Sequence, residues 1–169
     1  MADSVSVSLA CAVLTVSDSR TAADDTAGDL LAARIDAAGH RTVRREIVAD
    51  DVYQIRRAFS DCIADPAVQV IVSAGGTGFS LKNSVPEGVE VLLDQQIPGF
   101  GELFRQLSYA DIGSSTVQSR ALAGFANRTL VFCLPGSVRA CALAWDRIIV
   151  EQLDSRHRPC NFASHLLPA

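Results

Sequence analysis

Residues 73–88 read SAGGTGFSLKNSVPEG and residues 131–137 read VFCLPGS. In each, an apolar run ends in a turn. Gly75, Gly76 and Gly78 lack a Cβ, so the backbone there can take positive φ values and aim successive N–H groups at an anion, with the Thr77 hydroxyl beside them. Pro135 and Gly136 make the second turn. Ser137 can cap the helix that follows or donate to an anion at its positive end. The chemistry these residues suit is the holding of phosphate oxygens. Carboxylates supply a second element: Asp18 follows one apolar run, and Asp50 and Asp51 follow another strand. If those strands are parallel, the acids gather at the same sheet edge as the glycines, where such a cluster would suit a Mg²⁺ bridging protein and nucleotide phosphates. Helix capping accounts for Asp50 and Asp51 equally well on spacing alone. Arg120, Arg105 and Lys82 are the cations nearest these loops, and each would also suit a solvated surface.

The loop matches neither common nucleotide fingerprint. A P-loop needs GxxxxGK[ST], and a dinucleotide loop needs a third glycine where Leu81 stands. GGTG alone is also compatible with a tight turn that lets strand and helix pack closely. His157, Cys160 and His165 offer three potential metal ligands, but at irregular spacing and in a segment that reads as a polar surface tail, residues 154–169. No serine stands in GxSxG, so a nucleophile elbow is not supported. Cys133 and Cys141 lie in apolar runs that raise a thiol's pKa, which makes them core residues rather than nucleophiles.

The elements that must position these residues follow from hydrophobic periodicity. Leu9–Val16 and Val68–Val72 are continuous apolar runs of the kind buried on both faces of a parallel sheet, as is Thr129–Leu134. His40–Val48 alternates as an edge strand. Helical spacing covers Asp25–Gly39, Asp51–Ala64, a segment entered at Pro86, a short stretch Phe100–Leu107, residues 111–127 and a long final helix Val138–Leu153. Strands alternating with helices predict an α/β fold, a three-layer αβα sandwich with a mostly parallel central sheet, in which ligands bind outside the carboxyl ends of the strands.

The bulk properties set the frame. A chain of 169 residues suits one domain spanning 1–169, and 49% hydrophobic residues with mean hydropathy +0.22 suit a packed core or an apolar oligomer interface. A net charge of -4 argues against broad nucleic-acid binding. Leu9–Val16 is too short for a membrane span and has no basic leader. Five cysteines without a CxxC pair make a disulfide framework or zinc finger improbable and fit the cytoplasm.

Taken together, LTVSDSR at 14–20, SAGGTGFS at 73–80, VPEG at 85–88, IPGFGELFRQLSYADIGSSTVQSRALAG at 97–124, LVFCLPGS at 130–137 and QLDSRHRPCNF at 152–162 resemble the MoaB/MogA family of molybdenum cofactor biosynthesis proteins, with the central and C-terminal stretches most similar to the MoaB branch. The resemblance implies a molybdopterin-binding fold that assembles as trimers or hexamers. It also implies the family's reaction, in which the terminal phosphate of molybdopterin attacks the α-phosphorus of Mg-ATP to give adenylylated pterin and pyrophosphate. Carried over by position, Gly75, Gly76, Thr77 and Gly78 would bind nucleotide phosphate. Ser119, Arg120, Pro135, Gly136 and Ser137 would line the pterin side, Asp50 would be the functional acid, and Asp18 and Glu102 further polar liners.

One position departs from that pattern. Where the adenylyltransferases carry an Arg-Asp pair after GGTG, this chain has Lys82 and Asn83. An amide oxygen can ligate Mg²⁺ but brings no charge, and this hard cation generally leans on a carboxylate. Two expectations follow: a nominal adenylyltransferase in which Asp50 and its neighbours suffice, or a binding relative without turnover. Loss of one preorganised charged group would cost catalysis about 10²-fold.

Overall fold

The computed structural model describes residues 6–167. Its sheet is built from β1 (Ala10–Val16), β2 (Arg41–Val48), β3 (Val70–Ala74), β4 (Gln95–Gln96), β5 (Leu122–Ala126) and β6 (Thr129–Leu134), in the spatial order β2-β1-β3-β6-β5-β4. The pairs β1–β2, β1–β3 and β3–β6 are parallel, whereas β5 and β4 extend the sheet as antiparallel strands. The predicted αβα architecture is therefore present, with a mixed edge. Because successive side chains on a strand point to opposite faces, Cys11, Val13, Val70, Val72, Leu130 and Phe132 enter one core, and Ala12, Leu14, Ile71, Val131 and Cys133 enter the other.

Helices close both cores. On the first face lie α1 (Thr26–Ala37), α4 (Pro98–Ile112) and α5 (Val138–Ala144), the last continuing through a π-helical turn at Trp145–Ile149 into α6 (Val150–Leu153). On the second face lie α2 (Val52–Ala64) and the short α3 (Val85–Val89). The starts of α1 and α2 are set by acids: Asp25 accepts from Gly28 N, and Asp51 accepts from Tyr53 N and Gln54 N. Gly39 ends the first βα unit at φ +84°, the left-handed conformation that glycine adopts without strain.

Residues 111–127 are not the expected helix. The helix entered at Pro98 runs past Leu107 to Ile112, is halted by Gly113 at φ +56°, and gives way to a 3-10 stretch at Gly113–Gln118 and then to β5. Asn127 and Arg128 both have positive φ, +48° and +66°, which is the geometry of a two-residue turn joining twisted antiparallel strands. Leu, Ala and Phe allow either state locally, and pairing with β6 decides it.

The C-terminal segment is also different from a simple surface tail. Residues 158–160 are exposed, but Ala163 and Leu166 are buried, Phe162 meets Phe125 edge-on at 5.6 Å, and Gln69 donates to the Leu166 carbonyl. The segment covers one end of the first core.

Candidate active site

Parallel pairing brings the carboxyl ends of β1, β3 and β6 side by side, and the glycine turns lie on them. Gly75 has φ +101°, and its N–H donates to Leu134 O at 2.9 Å. A Cβ there would overlap the Val16 carbonyl, and one at Gly136 would stand 3.2 Å from Gly75 Cα. Three strand ends can meet this closely only because two of the turn residues are glycine. Gly76, at φ +70°, faces Val85, where an added Cβ would come within 2.6 Å of a methyl group.

These turns form one wall of a cleft of about 460 Å³. Gly75, Gly76, Thr77, Gly78, Asn83, Ser119, Pro135, Gly136 and Ser137, all expected at the site, line it together. The opposite wall is α4 and the 3-10 stretch, contributing Phe104, Ser108, Ile112, Ser115 and Gln118. No residue of this lining is charged. Thr77 and Ser108 are only 3% and 6% exposed, and neither hydroxyl has a hydrogen-bond partner among the described residues. Two hydroxyls of otherwise buried residues that line a cleft and have no protein partner are placed to meet a ligand's polar atoms. Ser137 also caps α5 by accepting from Ala140 N at 3.2 Å.

The remaining expected residues lie elsewhere. Arg120 does not line the cleft. Its Nε and Nη2 donate to Gly78 O at 3.0 and 2.7 Å, Nη2 donates also to Asn83 O at 2.7 Å, and Nη1 pairs with Glu87. Arg120 holds the Glu87 carboxyl below its usual range. Glu102 borders a separate pocket of about 350 Å³ with Glu87, Glu90, Arg105 and Arg120.

Asp18 and Asp50 sit behind the loop, beside one another as the parallel strands require. Asp50 is 8% exposed, its Oδ1 accepts from Ser84 N at 2.9 Å, and its own N–H donates to Asp18 Oδ1 at 2.9 Å. Asp18 Oδ2 meets Lys82 Nζ at 2.9 Å, and that contact chiefly holds the Asp18 carboxyl below its ordinary value and raises the Lys82 ammonium. Asp51 is the helix cap of the pair. Asn83 turns its Oδ1 inward, accepting from Ser80 N at 3.3 Å, and a Cβ on Gly78 would overlap it. The amide thus closes the 80–83 turn. Among the described residues no group of three or more His, Cys, Asp or Glu side chains could hold a metal ion, so His157, Cys160 and His165 form no such cluster. Burial pushes the Cys133 and Cys141 thiols up to about 12, which leaves them inert core residues.

A family model described as "Probable molybdopterin binding domain" matches residues 12–155. The chain belongs to this molybdopterin-binding domain family. Within it, the chain is 50% identical over 155 residues to molybdenum cofactor biosynthesis protein B of Escherichia coli K12, covering 92% of this chain and 91% of the relative. A solved structure of a molybdenum cofactor biosynthesis protein B superposes with TM-score 0.84 at 40% identity, over 87% of this chain and 92% of the other. The structure titled tungsten cofactor synthesizing protein MoaB from Pyrococcus furiosus gives TM-score 0.77 at 32% identity, over 85% and 92%. The chain is thus a molybdenum cofactor biosynthesis family protein of the MoaB kind.

Sequence reasoning missed Ser108, Ser115 and Gln118. They lie within the 97–124 stretch that carries the resemblance, but neither their type nor their spacing singles them out, and only the packing of α4 across the strand ends makes them part of the cleft.

Proposed function

We propose that this chain binds molybdopterin in the cleft, with a phosphate on the Gly75–Gly78 turn, and is nominally a molybdopterin adenylyltransferase using Mg-ATP. The observation that supports this most is the convergence of three parallel strand ends on a neutral cleft whose turns leave the backbone N–H groups of Gly76, Thr77 and Gly78 without a protein partner among the described residues. Such amides hold phosphate oxygens without reorganising as charge shifts. A pterin phosphate oxygen forms a bond to the α-phosphorus of ATP, the α–β bridging bond breaks, and pyrophosphate leaves. The chain's part is to align the two phosphates and exclude water.

Asp50, whose Oδ2 has no partner among the described residues, is the group that would hold Mg²⁺ delivered with ATP, whereas both Asn83 oxygens already accept hydrogen bonds, from Ser80 N and Arg120 Nη2. Bound there with waters and substrate phosphates, the ion would offset charge developing on the transferred phosphoryl group. Asn83 favours a second reading, a pterin-binding relative without turnover, because it supplies no charge where the family's adenylyltransferases have aspartate. The free cysteines suit a reducing cytoplasm, and the assembly proposed is a trimer or hexamer.

Magnesium-dependent formation of adenylylated pterin and pyrophosphate, measured on the native chain and on Asn83→Asp, separates the readings. The adenylyltransferase reading expects turnover in the native chain, rising by about 10²-fold in Asn83→Asp if the missing charge limits the rate. Turnover confined to Asn83→Asp means a binding relative. Absence of molybdopterin and ATP binding in both overturns both.

A further inference from the structure

We infer that Arg120 is a positioning residue: with Glu87 it clamps the 76–84 loop in the conformation that presents its amides, and it does not itself contact ligand. The inference rests on the proposed phosphate-binding role of that loop. Five contacts converge. The Arg120 backbone N–H donates to Thr77 O at 3.0 Å, while its guanidinium reaches Gly78 O through Nε and Nη2, Asn83 O through Nη2 and Glu87 through Nη1. Its face lies over the Phe79 ring, 4.9 Å from the centroid. A guanidinium is a planar fork with five N–H donors, and here each of its three nitrogens already donates to the protein.

Polar contacts also tie the far side of the loop, Ser84 N to Asp50 and Lys82 to Asp18, but apolar packing at its tip is slight. Leu81 is fully exposed and Phe79 is 66% exposed, its ring covered by the Arg120 guanidinium rather than by the core. In a trans peptide the N–H points opposite the carbonyl of the same unit, so Thr77 O and Gly78 O held on Arg120 turn the Gly78 and Phe79 N–H groups away from it. From α2, Arg56 donates to the Glu87 carbonyl at 3.1 Å, so the residue that holds Arg120 is itself held. The carry-over from the family set Arg120 on the pterin side; its geometry assigns it to the loop.

Hydrogen exchange without ligand tests this directly. The amides of Ser80, Asn83, Ser84 and Val85 are bonded within or against the loop. In Arg120→Lys, which keeps the charge and loses the fork, their exchange should quicken about tenfold, while β3 and β6 amides stay as slow as before. Glu87→Gln, which leaves an acceptor for Nη1 on an exposed side chain, should quicken it about threefold and serves as the readout if Arg120→Lys fails to fold. ATP affinity should fall in the same order. Unchanged loop exchange in the folded variants overturns the clamp; if ATP binding nevertheless weakens, Arg120 is a ligand contact. Faster exchange combined with no ATP binding by the native chain leaves the clamp standing and removes the functional reading instead.

Discussion

The Thr77 and Ser108 hydroxyls show most sharply how single atoms define the cleft. Both residues are largely buried while their hydroxyls keep access to the cleft, so a polar group bound there can take up hydrogen bonds that the protein leaves open. Thr77→Val and Ser108→Ala remove these oxygens with little change of volume. We expect ATP or molybdopterin affinity to fall about tenfold for at least one of them, with folding stability unchanged within ~0.5 kcal/mol. Calorimetric titration and denaturant melts read the two quantities separately. A melt that shifts while affinity stays constant would assign the hydroxyls to packing. Gly75, Gly76 and Gly136 were legible in the chain as turn residues, because glycines at a strand exit mark a tight turn and a close backbone approach, whether for packing or for a ligand. Ser108 was not, since its meaning depends on where a helix thirty residues downstream comes to rest.

Among the elements, the start of the sheet depends on one imidazole. His40, buried between α1 and β2, accepts from the Leu9 backbone N–H through Nδ1 at 3.2 Å, tying the entry of β1 to that of β2. Burial lowers its pKa from the ordinary 6.5, and the charge of Asp154 offsets this only partly. A group whose folded pKa lies below its unfolded value binds its proton more readily in the unfolded chain. Its contribution is therefore complete above pH 6.5 and is lost progressively as pH falls from there toward the depressed value. Denaturant melts from pH 8 to 5 should show this loss, and His40→Gln should flatten it; an equal slope in both forms would clear His40 of the effect. The parallel strands and their crossover helices could be read from uninterrupted apolar runs and helical spacing. The β5–β6 hairpin could not, because its residues are permissive and its turn is Asn-Arg rather than the familiar Asn-Gly.

At the scale of the whole molecule, the C-terminal segment completes the first core rather than trailing from it. Deleting residues 162–169 strips Phe162, Ala163 and Leu166 from their sites, and it should lower stability by about 3 kcal/mol while leaving the distant cleft formed. Circular dichroism melts give the first, and ATP titration at low temperature the second; a truncated chain as stable as the native one would show the segment to be dispensable. The sequence pattern hid this because the polar run at 154–158 precedes the few apolar residues that dock, and Ser164 and His165 interrupt them. The cleft has a further property as a whole. Its lining holds only glycine, proline, aliphatic, aromatic, hydroxyl and amide side chains. A cradle of main-chain dipoles and neutral hydroxyls neither gains nor loses a proton at any pH where the chain stays folded. Any change of charge at the cleft wall would then come from the occupant's own phosphate, the protein's nearest titrating groups, Asp18, Asp50 and Lys82, standing behind the loop and outside the lining.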